Sequence, residues 1–175
     1  MGSSARKEFL VEAVKAVISL PADQYHAVIL VPKAVCPIEE IRRLVSEHRN
    51  IYITDTFIPA RLVNALADLT ICHGGQGTIQ TAMVCGCPVL GFAMQPEQQI
   101  NLDNIARAGA GIRISAKKWK KRFLIRMIKR VTADPIWKQN AARLQAEMSK
   151  INTQEMTAAA VWNFLIPLYP TSYPD

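Results

Sequence analysis

Apolar residues recur along this chain in two alternating rhythms. Over residues 6–20, Leu10, Val14, Val17 and Ile18 fall at helical spacing, and Pro21-Ala22-Asp23 breaks the pattern. His26-Ala27-Val28-Ile29-Leu30-Val31 is then a continuous run closed by Pro32, as in a strand buried on both faces of a parallel sheet. Residues 38–48 return to helical period through Ile38, Ile41, Leu44 and Val45. A short strand is predicted at 51–54, a short helix opened by Pro59 up to residue 67, and a buried strand at 69–72 that runs into glycines. Helix 77–85, strand 88–92, helix 97–108 closed by Gly109 and Gly111, and strand 111–114 follow.

Strands that alternate with helices form βαβ units. The expected fold is therefore α/β, a Rossmann-like doubly wound parallel sheet with helices on both faces. After residue 115 only helical patterns remain, at 117–132, 135–150 and 154–166. One domain over residues 1–166 is expected, with extra C-terminal helices and an irregular tail at 167–175 that carries three prolines. There is no internal repeat and no low-complexity linker.

Composition adds bounds. Half of the 175 residues are apolar and 20% are charged, which excludes a disordered or collagen-like chain. A chain of this length buries enough surface to fold without staples. No run reaches the ~18 apolar residues of a membrane span, and no apolar segment follows the start Met1-Gly2-Ser3-Ser4-Ala5-Arg6 as in a signal peptide. The net charge of +7 favours anionic partners. Cys36, Cys72, Cys85 and Cys87 lack C-x-x-C spacing and lie in apolar or turn-like settings, so reduced thiols in a cytoplasmic protein are expected. Cys85-Gly86-Cys87 has no second ligand pair nearby, so small-residue packing is preferred to a metal site.

The stretch richest in chemistry is Leu69-Thr70-Ile71-Cys72-His73-Gly74-Gly75-Gln76-Gly77-Thr78. A buried strand delivers the chain to a glycine turn, and a helix starts at that turn. Free backbone N–H groups and the positive end of a helix dipole meet there, which makes an anion site with phosphate as the usual guest. The glycines let backbone approach the anion, Thr78 can donate a hydroxyl, and His73 can donate an imidazole N–H. In doubly wound sheets ligands sit at the carboxyl ends of strands, where this turn lies. The spacing is neither a P-loop nor a dinucleotide fingerprint. A tight turn without ligand remains the alternative.

Four pieces together extend the reading. His73-Gly74-Gly75-Gln76-Gly77-Thr78, Gly86-Cys87-Pro88-Val89, Pro96-Glu97-Gln98-Gln99-Ile100-Asn101 and Ala108-Gly109-Ala110-Gly111 stand in order at suitable spacing. This set resembles the C-terminal, donor-binding domain of GT-B glycosyltransferases, in the branch of plant and antibiotic sugar transferases. The resemblance spans roughly residues 50–115, and the whole chain more loosely. It implies a transferase that moves a sugar from a nucleotide-diphosphate sugar to an acceptor hydroxyl. His73, Gly75, Gln76, Gly77 and Thr78 would hold the donor diphosphate, and Glu97 and Gln98 the hydroxyls of the donor sugar. Phe57, in Thr56-Phe57-Ile58-Pro59-Ala60, would stack on the base; packing in the core is its other reading. Ala60 replaces the family's base-reading glutamine and Thr81 its ribose-binding glutamate, which leaves both UDP and dTDP donors open. Gly2-Ser3-Ser4 resembles the family's loop after the first strand, with Ser3 beside the diphosphate; an expression leader is the other reading.

The resemblance also implies what this sequence lacks. The first strand of the domain has no counterpart, and its place would be mid-sheet, so a gap is expected there. The family's catalytic base lies on an N-terminal domain, so no catalytic residue is assigned here, and an acceptor-binding N-terminal domain or subunit is the expected partner. This chain alone is expected to bind donor without efficient transfer, with no cofactor and no metal. Residues 117–130 hold eight basic and no acidic residues, with Phe123, Leu124, Met127, Ile128 and Val131 on one helical face. They are either a solvated face over the core or an anionic-membrane contact with Trp119 as anchor. Two other readings stand beside the transferase: a sugar-nucleotide 2-epimerase-like domain, and a non-catalytic basic module for membranes or nucleic acid. Under the transferase reading no nucleic acid is expected as a partner.

Overall fold

In a computed structural model the described residues are 6–151 and 153–166. The elements alternate as expected. Helix α1 (Lys7–Val17) leads to β1 (Ala27–Leu30), α2 (Ile38–Val45), β2 (Ile51–Thr54), α3 (Ala60–Leu66) and β3 (Thr70–Cys72). Then come α4 (Gln76–Val84), β4 (Val89–Gly91), α5 (Pro96–Arg107) and β5 (Gly111–Arg113). Helices α6 (Lys121–Ala133), α7 (Ile136–Ser149) and α8 (Thr153–Leu165) complete the chain. The irregular tail expected at 167–175 lies outside the described residues, as does Ser3.

All pairing is parallel, but the strands form two sheets. β1 pairs with β2, Ala27 opposite Ile51, and a second sheet has the order β3-β4-β5. β4 is central, with Leu90 between Ile71 and Ile112. The expected mid-sheet gap therefore falls between β1 and β3.

Helices cover both faces of the three-stranded sheet. On one face Ile79 and Met83 of α4 and Leu102 and Ile105 of α5 pack with Val89 and Ala141. On the other, Leu90 and Phe92 meet Trp119, Leu124, Met127 and Ile128. A third cluster joins Leu10 and Val14 of α1 to Val31, Ile41 and Val45, and Ile29, Ile51 and Ile53 lie against it. α1 thus contributes to the cores of both sheets and lies across the interval between them. The β1–β2 pair has one covered face, while Val28 and Tyr52 on the other are exposed.

The single helix expected over 117–132 divides. A 3₁₀ turn spans Ala116–Lys118, and Lys120 is extended before α6 begins. The cause is tertiary. Trp119 is only 2% exposed and its indole N–H donates to the Phe9 carbonyl at 3.0 Å, which pulls the chain out of helix there. Lys120 provides no side-chain cap, and the first N–H of α6, at Lys121, instead donates to Glu12 Oε2 of α1 at 2.7 Å. Trp119 is thus a packing residue and not a membrane anchor. The apolar face of α6 is spent on the core, with Leu124, Met127, Ile128 and Val131 buried, so the basic residues form a solvated face. Among the described residues no helix is long and apolar enough to cross a membrane.

Candidate functional site: the uncapped N-terminus of helix α4

β3 ends at Cys72 and α4 starts at Gln76, so three residues make the turn. Gly74 has φ +83°, a left-handed conformation that L side chains rarely adopt. A Cβ there would stand 2.8 Å from Leu102 and 2.9 Å from the Gln98 carbonyl, so the close approach of α5 also demands glycine. The Gly74 N–H contacts Cys72 Sγ at 3.4 Å, and its carbonyl accepts from Asn101 Nδ2 at 3.0 Å. The turn is therefore held by buried sulfur on one side and by an α5 side chain on the other.

Gly75 is the N-cap of α4, and its carbonyl accepts from both Thr78 N–H and Ile79 N–H at 3.1 Å. The N–H groups of Gln76 and Gly77, in the first turn, have no intrahelical acceptor. No side chain caps them and no acidic residue lies in that turn. Gln76 and Gly77 are exposed, and a Cβ added at Gly77 would meet nothing within 4 Å. An anion placed there meets two N–H groups and the positive end of the helix dipole without a competing carboxylate.

His73 sits beneath this opening. It is 6% exposed, and its Nδ1 is buried without a hydrogen-bond partner. Its Nε2 lies 3.1 Å from where a Cβ of residue 75 would stand, so the imidazole lies against the turn. Burial pushes its pKa below the ordinary histidine value, against a weaker upward pull from Glu97, so the ring is neutral near pH 7. A buried imidazole nitrogen with nothing to bond is costly unless a ligand or water satisfies it.

α5 delivers the second group of polar residues. Glu97 is exposed in its first turn and accepts from Asn101 Nδ2 at 2.7 Å. Gln98 is 3% exposed, and its Oε1 accepts the Met94 N–H at 2.9 Å. Gln98 thus also shapes the β4–α5 loop. Asn101 links Glu97 to the glycine turn, a junction to which the sequence reading assigned no role. Its signal was the spacing of Glu97-Gln98-x-x-Asn101, one helical turn, which brings the first and last side chains together. Phe57 is 92% exposed after the carboxyl end of β2, which removes core packing as its role. With His73 and Thr78 it lines one cavity of about 1260 Å³. Thr81 is committed locally, its hydroxyl donating to the Gly77 carbonyl at 2.7 Å.

The parallel α/β fold is shared with GT-B glycosyltransferases. Residues 14–161 match the family described as the erythromycin biosynthesis protein CIII-like C-terminal domain, and the chain belongs to that family. A rhamnosyltransferase of PGL/p-HBAD biosynthesis from Mycobacterium tuberculosis is 32% identical over 95 residues, covering 54% of this chain and 21% of that protein. A PGL/p-HBAD biosynthesis glycosyltransferase from the same organism is 26% identical over 144 residues, covering 82% of this chain and 31% of its own length. The spinosyn rhamnosyltransferase SpnG complexed with thymidine diphosphate superposes with a TM-score of 0.67 at 29% identity, covering 81% of this chain and 37% of SpnG. The glycosyltransferase VinC in complex with dTDP shares the fold at a TM-score of 0.75 and 20% identity, over 87% of this chain and 36% of VinC. The chain thus spans between about a fifth and two fifths of the length of these proteins.

Proposed function

We propose that this chain binds the nucleotide-diphosphate sugar donor of a glycosyltransferase and that the acceptor is held by an N-terminal domain or subunit beyond these 175 residues. The observation that carries this reading is the uncapped α4 terminus with the unpartnered Nδ1 of His73 below it. The diphosphate bridges the Gln76 and Gly77 N–H groups, with Gly75 leaving room for it and the Thr78 hydroxyl and His73 imidazole donating beside them. Glu97 accepts from donor-sugar hydroxyls, and Gln98 turns its amide toward the same sugar. Phe57 stacks on the base. A dTDP sugar is the preferred donor class: SpnG is described with thymidine diphosphate, and Thr81 leaves no carboxylate at that position for a ribose hydroxyl.

In transfer, an acceptor oxygen from the other domain displaces the diphosphate at the anomeric carbon. Negative charge grows on the leaving phosphate, and in this scheme the helix N-terminus and an imidazole N–H of His73 stabilise it. No metal or cofactor is needed for that step in this scheme. In this scheme the base that deprotonates the acceptor lies on the acceptor-binding domain.

Calorimetric titration of the chain with dTDP, UDP and GDP at moderate salt tests the reading. Saturable binding that survives salt is expected, tightest for dTDP. Gly77→Val puts two methyls into open space above the N–H groups, so the fold stands and affinity falls by about tenfold or more, one lost charge-assisted contact. Unchanged affinity in that variant, or binding only at low salt to any polyanion, contradicts it.

A further inference from the structure

Glu97 stands in the first turn of α5 with its side chain exposed. Left alone, such a side chain samples many rotamers, and a ligand that uses its carboxylate has to freeze them. Among the described residues no lysine or arginine forms an ion pair with it. What holds it is the Asn101 amide, four residues on along the same helix, which donates from Nδ2 to Glu97 Oε1 at 2.7 Å. The same nitrogen donates its other hydrogen to the Gly74 carbonyl at 3.0 Å.

A backbone carbonyl and a carboxylate both only accept, so the atom between them must donate twice. An asparagine NH2 does this from one point. A serine or threonine hydroxyl has one hydrogen to give, and an aspartate has none. The anchor at the far end is rigid. Gly74 has φ +83°, and a Cβ there would stand 2.8 Å from Leu102 and 2.9 Å from the Gln98 carbonyl, so the turn has no room to move toward α5. Two and three residues further on, Gln76 and Gly77 open α4 with no side-chain cap.

We infer that Asn101 is a positioning residue of the donor site: it fixes the Glu97 carboxylate relative to the phosphate-binding turn, so that the sugar is read in register with the diphosphate. The inference rests on the donor-binding reading above. Asn101 touches no part of the donor in it and acts through Glu97. The amide engages Oε1, and Oε2 remains to accept from a sugar hydroxyl. Without the tie, Glu97 swings into solvent while the helix terminus stays where it is.

Calorimetric titration of the chain with dTDP and with dTDP-glucose tests this. The readout is the ratio of the two affinities, which cancels any change in the turn that both ligands feel. Asn101→Ala should lower the affinity for dTDP-glucose relative to dTDP by about three- to tenfold, the cost of freezing one glutamate side chain. Asn101→Asp keeps the shape but sets a carboxylate against two acceptors, so it should lower the ratio further. A cycle with Glu97→Ala separates positioning from a merely structural role. Once Glu97 is gone, Asn101→Ala should leave the ratio where Glu97→Ala put it. Additive losses in the double variant overturn the inference and leave donor binding standing. So does a ratio that Glu97→Ala lowers and both Asn101 variants leave unmoved. A native chain that binds neither ligand, or a ratio indifferent to Glu97→Ala, refutes the donor reading itself and this inference with it.

Discussion

His73 carries two opposing demands on one imidazole. Burial lowers its folded pKa, while the unfolded chain titrates near 6.5. Below that value the unfolded state binds more protons, so stability is full above about pH 6.5 and is lost as pH falls through the folded value. Urea midpoints from pH 8 to pH 5 should therefore fall more steeply for the native chain than for His73→Gln; parallel curves would contradict a buried neutral imidazole. At Gly74 the positive φ and the 2.8 Å approach to Leu102 act together. Gly74→Ala should cost about 1–3 kcal/mol in denaturant unfolding, the range for forced backbone strain. Glu97→Ala separates the two halves of the donor. It should weaken the sugar nucleotide about tenfold, as one hydrogen bond to a charged group, and leave the bare nucleoside diphosphate unchanged. Equal losses for both would refute its assignment to the sugar. The residue types for all of this stood in the sequence. The unpartnered Nδ1 and the Asn101 bridge did not, since both depend on how α5 meets the turn.

Among the elements, α5 is the one that joins fold and site. Its Leu102 is 1% exposed in the core of the three-stranded sheet, and the same helix presents Glu97 and Asn101 to the glycine turn. Leu102→Ala should destabilise by about 2–5 kcal/mol, the usual range for a buried leucine. It should also weaken nucleotide binding, because Gly74 loses the side chain it rests on. Ordinary stability in that variant would show that the α5–sheet contact is looser than drawn. Helices and strands were legible because each has an apolar rhythm of its own. Their ends were less so. The break before α6 arises from Trp119 reaching Phe9, 110 positions away, and from Glu12 capping Lys121. Local sequence holds no trace of either contact.

At the scale of the whole molecule, apolar surface is left open at several places among the described residues, the slot between the sheets and α8 among them. Met156, Trp162 and Phe164 of α8 are exposed, and exposed apolar side chains clustered on one helix favour association. Light scattering should show self-association that rises with concentration and salt, reduced in a Trp162→Ser, Phe164→Ser double variant. Indifference to that change would place the association elsewhere. The sequence alone determined that the chain is a parallel α/β domain with a strand-to-helix glycine turn after residue 73, because periodicity and glycine punctuation are local properties. Tertiary structure alone decided that His73 is buried, that Phe57 is free, that the basic stretch has its apolar face in the core and where the sheet divides. Those are questions of which surfaces find partners. A partner is set by the packing of residues distant in sequence, which no local rhythm encodes.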